Sequence, residues 1–283
     1  MEKSLKKSTT MVSLLPEDID SYTRRLASSH PLRQEILVSA MDDLDLPGKS
    51  AGIDVGCGIG LSTLLLAGAK EKDLHVTGVD ISGEFIKTAE TLAQKTGLSA
   101  QLIFEQGSAS TLPFADNKFD WAWSVDCLNY APGPSLAPLK ELKRVVKKGG
   151  RVALLGWSSQ QLLPGFPALE AKLNATEEGI APFQKEMEPD RHFLRTGKIL
   201  DQLGFKEIKV KSFIKDICAP LDGDIFTALE DLIKMRWPKK PRGLSKKELA
   251  LYRHITDSSS PGFILNASNY YGFFTYTMFV GTR

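Results

Sequence analysis

The 283-residue sequence is short of the features that announce several large classes of protein. It has three cysteines, Cys57, Cys127 and Cys218, an odd number at wide spacing with no Cys-x-x-Cys and no Cys/His cluster. Neither a disulfide framework nor a metal site is indicated, and reduced thiols are expected. No apolar run approaches the ~18 residues that a membrane-spanning helix needs, which argues against a transmembrane segment. The opening stretch, Met1 to Thr10, lacks the apolar core and small-residue cleavage site of a secretion signal. It is expected to belong to a disordered lead-in over residues 1–15, with the cytoplasm as the location. Neither sign of charge dominates: the formal net charge is +2, which gives no global footprint for nucleic acid. What remains is the ordinary composition of a globular protein, 42% hydrophobic and 25% charged, at a length that suits one elaborated α/β domain over residues 16–283.

One further absence is informative because it occurs inside the most chemically legible stretch of the chain. Gly52-Ile53-Asp54-Val55-Gly56-Cys57-Gly58-Ile59-Gly60 joins a short apolar strand, Ala51 to Val55, to a helix beginning at Leu61. The dinucleotide fingerprint Gly-x-Gly-x-x-Gly does not close there. Counting from Gly56 places Leu61 at the third glycine, and counting from Gly58 places Thr63 there, so a nicotinamide-dependent oxidoreductase loses support. The turn still offers bare backbone and helix-start amides to a polar ligand.

Alternation and helical spacing place the other elements around that turn. Two helical segments occupy Pro16 to Leu46, the second opening at Pro31, and they can carry Tyr22 or Arg25 toward a ligand. A strand from Leu74 to Val79 ends at Asp80, with Ile81 and a Ser82 cap behind it. Asp80 lies 20 residues past Gly60, at the strand end where an acidic side chain can accept both hydroxyls of a ribose. Strands follow at Gln101 to Glu105, Trp121 to Val125 and Val152 to Gly156. The helix before the last of these is read from Ser135 through Lys147-Lys148 to Gly149-Gly150. A helix at Thr196 to Leu203, a strand at Phe205 to Phe213 and a last strand at Tyr271 to Val280 complete the set.

Four blocks in this order resemble the class I S-adenosylmethionine-dependent methyltransferases, in particular the small-molecule type of the ubiquinone/menaquinone-biosynthesis family. They are Asp54-x-Gly56-x-Gly58-x-Gly60, Asp80, the run Gly107-Ser108-Ala109 with Leu112-Pro113-Phe114 and Phe119-Asp120, and the helix-to-strand segment Leu139 to Arg151. The resemblance covers residues 50–157 well, 196–213 less closely, and the ends and insertions hardly at all. It implies a Rossmann-like seven-stranded sheet of order 3-2-1-4-5-7-6, antiparallel only at the last strand, with helices on both faces. It also implies S-adenosyl-L-methionine as cofactor, S-adenosyl-L-homocysteine as product and a small-molecule acceptor. Asp54 would then orient the methionine end, and Gly56, Cys57, Gly58 and Gly60 would pass beneath it. Asp80 with Ile81 would hold the ribose, Ser108 and Ala109 the adenine, and Val125 and Asp126 would border the reacting methyl. The family usually has Asp where this chain has Ser108, a weaker acceptor for the adenine amino group. Val125-Asp126-Cys127-Leu128-Asn129-Tyr130 is not the Asn/Asp-Pro-Pro-Tyr motif of enzymes that methylate a planar nitrogen.

The remaining readings concern the insertions and the chemistry. Residues 157–195 are expected to form a lid and 214–269 a substrate-side helical insertion with helices near Ile225 to Trp237 and Ser245 to Thr256. Lys234, Arg236, Lys239, Lys240, Arg242, Lys246 and Lys247 crowd around Trp237, a local cluster able to attract a phosphate-bearing substrate, RNA or an anionic membrane, though a solvated loop is the commoner use. The aromatic residues Trp157, Phe166, Phe183, Trp237 and Phe263 suit either an apolar substrate cavity or core packing. Candidate bases are Asp126, Tyr130 and His192, with no catalytic residue assigned, while His30, His75 and His254 read as surface or packing residues. An RNA methyltransferase using residues 234–247 and a catalytically silent cofactor-binding relative remain as alternatives.

Overall fold

The computed structural model describes residues 11–69, 71–128, 136–175, 190 and 192–283. Two N-terminal helices, α1 (Ser21–Ser28) and α2 (His30–Leu44), precede the strand-helix alternation β1 (Ala51–Val55), α3 (Leu61–Ala67), β2 (His75–Asp80), α4 (Gly83–Thr96), β3 (Leu102–Gln106) and β4 (Phe119–Val125). There follow α5 (Ala137–Val145), β5 (Val146–Gln161), α6 (Pro167–Asn174), α7 (Thr196–Gln202), β6 (Lys206–Cys218), α8 (Gly223–Arg236), α9 (Lys246–Thr256) and β7 (Tyr271–Thr282). The seven strands form one sheet in the expected order, β3-β2-β1-β4-β5-β7-β6. β7 runs antiparallel to both of its neighbours and the other pairs are parallel.

The local chemistry of the chain explains most element boundaries. Asp20, Ser82, Asp222 and Ser245 cap α1, α4, α8 and α9 with side-chain oxygens that accept otherwise unpaired first-turn amides, and Ser245 with Glu248 closes a full capping box. The central strands are continuous apolar runs because both of their faces are covered. One apolar layer joins α2, α3, α4, α6, α8 and α9 to the sheet, and a second, containing Leu142, Val145 and Leu200, joins α5 and α7 to its other side.

The end of α5 departs from the sequence reading. The helix stops at Val145, and Val146 already pairs with Phe119 at the start of β5. Lys147 to Gly150 then form a bulge in the strand, fixed where Gly149 N–H donates to the Arg283 carbonyl and Arg283 N–H donates to that of Gly150. A basic run ahead of two glycines is a good helix end by local rules, and strand pairing with distant residues overrides it. β5 and β6 are also longer than expected. Residues 157–161 continue β5 against β7 as far as Gln161↔Phe273, and β6 extends to Cys218↔Tyr271.

Candidate active site

The glycine turn leaves the carboxyl end of β1 and borders a cavity of about 210 Å³. Around it stand Asp54, Gly56, Cys57, Gly58, Asp80, Val125 and Asp126, which the sequence placed together, and Tyr22, Arg33 and Phe85, which come from helices. The turn is held from β2: Gly56 and Cys57 N–H both donate to the Val79 carbonyl, at 2.7 and 3.0 Å. Gly58 N–H donates to Asp80 Oδ2 at 2.9 Å, and Ser82 N–H donates to Asp80 Oδ1 at 3.0 Å. Asp80 therefore anchors the turn, and each of its oxygens keeps a lone pair for a further donor.

Two glycines show why the turn tolerates little else. At Gly56, φ is 77° and a Cβ would stand 2.1 Å from Cys127 Sγ. At Gly58, φ is 55° and a Cβ would meet nothing within 4 Å, so that side of the turn faces open space. Gly60 caps α3 and does not line the cavity.

Asp54 is the most unusual group present. It is 0% exposed; Oδ2 accepts from the Thr63 hydroxyl at 2.8 Å, and Oδ1 has no hydrogen-bond partner. Burial pushes its carboxyl up to about 7, opposed by the Thr63 hydroxyl and aided by the nearby Asp80 charge. Burial likewise holds the Cys57 thiol well above its ordinary range, and that of Cys127 at about 12, so both are neutral walls of the site.

Asp126 occupies the left-handed region at φ 48°, immediately after β4. Its N–H donates to the Leu155 carbonyl, Oδ1 accepts from Trp157 N–H at 3.1 Å, and Oδ2 accepts from the Tyr276 hydroxyl at 2.6 Å. Arg33 Nη1 approaches the same Oδ2 at 3.4 Å. A carboxylate with these donors is an anchor between β4, β5 and β7.

The other expected site residues are more dispersed. Ile81 is 73% exposed beside Asp80. Ser108 forms an isolated bridge with Thr111 after β3, its Oγ accepting from Ser110 N–H, and Ala109 packs against the second apolar layer. None of Ile81, Ser108 and Ala109 lines the cavity. His192 caps a 3-10 turn, accepting from Leu194 N–H at 3.1 Å, and is not a cavity residue. Tyr130 and Phe183 lie outside the described residues. Tyr22 reaches the cavity rim stacked on Phe85, and Arg25 sits over the Tyr22 ring instead of the cavity. Among the described residues no group of three or more His, Cys, Asp or Glu side chains stands where it would hold a metal ion.

Trp237 is 1% exposed, and its indole N–H donates to Asn174, so it is a core residue and offers no stacking face to RNA amid the basic cluster. Phe263 is buried in the same core, while Trp157 and Phe166 pack against it.

Comparison with known proteins agrees with this geometry. A family model described as "Methyltransferase domain" matches residues 53–154. A demethylmenaquinone methyltransferase of Bacillus licheniformis is 36% identical over 46% of this chain and 53% of its own length. A 27-O-demethylrifamycin SV methyltransferase of Amycolatopsis mediterranei is 32% identical over 58% and 53%. The chain thus spans about half the length of these curated relatives. Among solved structures, a geranyl diphosphate methyltransferase in complex with S-adenosylmethionine shares the fold, with a TM-score of 0.50 and 16% identity over 95% of this chain and 93% of that one. Residues 53–154 thus match a methyltransferase domain, and the sheet order and glycine turn around them agree with that match.

Proposed function

We propose that this chain transfers the methyl group of S-adenosylmethionine to a small-molecule acceptor. The observation that carries the reading is the buried, unpartnered Oδ1 of Asp54 at the wall of the cavity. A carboxylate oxygen in that state is costly, and a cation entering the cavity removes the cost. The α-ammonium of the cofactor is such a cation. The open side of Gly58 gives its neighbouring atoms room, the spare lone pairs of Asp80 suit ribose hydroxyls, and exposed Ile81 offers apolar surface for the adenine, with Ser108 and Ala109 next along the same sheet edge.

When bound, the cofactor supplies a methyl already activated by its sulfonium charge. The contribution of the chain is orientation and exclusion of water, and orientation alone can be worth up to ~7–11 kcal/mol. Asp54 and Asp80 fix two ends of the ligand, while Val125 and Asp126, at the end of β4, form the floor on which an acceptor would meet it. Asp126 acts there as a positioning group, since Trp157 and Tyr276 already hold it. The acceptor class follows the named substrates of the relatives, demethylmenaquinone and 27-O-demethylrifamycin SV, both small molecules. Three free thiols suit a reducing compartment such as the cytoplasm, and no helix among the described residues is long and apolar enough to cross a membrane.

Isothermal titration with S-adenosylhomocysteine, alongside NADH, tests the reading. Micromolar binding of the first alone is expected. Binding of NADH alone, or of neither, overturns it.

A further inference from the structure

The basic run that joins α8 to α9 takes no part in the cavity. From Lys234 to Lys247 the chain carries seven positive side chains and no negative one, so with a net charge of only +2 the rest of the protein is net negative. A loose solvated loop could carry such a run without consequence, but this loop is built. Trp237 is buried with its indole N–H on Asn174, Pro241 is buried, and the Tyr252 hydroxyl of α9 donates to the Pro238 carbonyl at 3.1 Å. Between these fixed points Lys239, Lys240 and Arg242 are exposed, and Lys246 and Lys247, also exposed, follow as the first two residues of α9. Part of the charge is already engaged. Lys234 pairs with Glu230 at 2.5 Å, Arg236 lies over the Trp157 ring at 4.8 Å, and Asp257 feels the Lys239 charge. Lys240, Lys246 and Lys247 make no ion pair with a described residue, and the adjacent Glu248 is held by Ser245 and Lys172. A helix start favours anions, so two lysines in the first turn of α9 stand where their charge is least welcome until an anionic partner arrives.

We propose that this surface docks the protein on a bilayer of anionic lipids. Clusters of about four to eight Lys or Arg side chains are what an anionic leaflet attracts, and each contributes about fivefold in binding. Met235, 49% exposed at the end of α8, supplies an apolar side chain beside the cations that can enter the headgroup boundary. The one aromatic of the stretch, Trp237, is buried, which removes the stacking face that single-stranded nucleic acid would use. The net negative remainder of the protein is repelled by the same leaflet, so the charge distribution also sets the orientation. Arg236 links the docked face to the cavity, because the Trp157 ring beneath it belongs to the residue whose N–H holds Asp126. Docking does not depend on which ligand the cavity holds.

The test mixes the protein with vesicles of phosphatidylcholine and phosphatidylglycerol in equal parts, and separately with vesicles of phosphatidylcholine alone, and measures the fraction that sediments with each. Binding to the first alone, released as NaCl is raised from about 0.05 M to about 0.5 M, is expected. The combined variant Lys239→Gln, Lys240→Gln, Lys246→Gln and Lys247→Gln should lower the partition coefficient by about 100-fold or more. The same change of charge at Lys87, Lys148, Lys206 and Lys209, all exposed elsewhere on the protein, should lower it by less than about tenfold. Equal losses in the two variants would show that net charge alone is read, and overturn the proposal. Failure of the unaltered protein to bind the anionic vesicles, or equal binding to both kinds, also overturns it and needs no variant that has to fold. Binding of a single-stranded RNA oligonucleotide in place of the vesicles would assign the surface to nucleic acid instead, and overturn it too.

Discussion

At the scale of single residues, Asp54 couples ligand binding to protons. Its carboxyl titrates near 7 in the folded protein against an ordinary 3.8, and only the ionised form can pair with an ammonium group. Affinity for S-adenosylhomocysteine should therefore be fully present above about pH 7 and fall below it, by up to about tenfold per unit. Titrations between about pH 6 and about pH 8 check this, and Asp54→Asn should give a weaker, flat profile; a flat profile in the unaltered protein would sink the idea. The neighbouring glycines separate stability from binding. Gly56→Ala meets Cys127 at 2.1 Å with φ at 77° and should cost about 2–4 kcal/mol in urea unfolding. Gly58→Ala, with its methyl in open space, should cost about 1 kcal/mol and lose ligand affinity instead. The reverse ranking would mean that the turn is not shaped around a ligand.

At the scale of elements, α6 is strapped to the end of β5 by one buried carboxylate. Glu170 accepts from Leu162 and Leu163 N–H, each at 2.8 Å, and from the Gln161 side chain. Glu170→Ala leaves two buried amides unpaired and should destabilise the fold by about 3 kcal/mol, with Glu170→Gln recovering part. A loss below about 1 kcal/mol in denaturant unfolding would show that water or a shifted side chain takes over. This strap was not legible in the sequence, whereas the strands and the glycine turn were. The difference is one of range. Asp54, the glycines and Asp80 are joined by a single strand-helix-strand unit, and their spacing is fixed by local geometry. Arg33 and Tyr276 reach Asp126 across 93 and 150 residues, and nothing in their own neighbourhoods marks them. The sequence leaves Trp237 open between cavity lining and core packing for the same reason, since lysines surround it in sequence and apolar side chains surround it in space.

At the scale of the whole molecule, two buried groups set the pH dependence of stability against each other. His30 is 2% exposed with neither ring nitrogen paired, and burial, with the nearby Arg33 charge, pushes its pKa down from 6.5 to about 4. Because the folded value is depressed, the unfolded chain binds the proton first. Stability is full above about 6.5 and is lost as the pH falls toward about 4, by about 3 kcal/mol in all. Asp54 works the other way: its raised folded pKa favours the fold at acid pH and withdraws that help as the pH rises from about 4 to about 7. Unfolding midpoints should thus change little between about pH 7 and about pH 5 in the unaltered protein. His30→Leu should gain stability on acidification, and Asp54→Asn should lose it. Parallel behaviour of the two variants would refute the opposition.

Lys215 pairs with Glu35 at 2.5 Å and Lys211 pairs with Asp43, and this clamp of α2 onto β6 bears on the order in which the protein comes into being. β1, the glycine turn and β2 lie close in sequence and can assemble while the chain is still emerging from the ribosome. The helix that bears Arg33 is seated by Lys211 and Lys215, which are synthesised long after it, and Asp126 waits for Tyr276 near the far end of the chain. A nascent chain that has reached Gln161 should therefore possess the turn without the opposite wall, and competence to hold a ligand should appear only once the last strand is made.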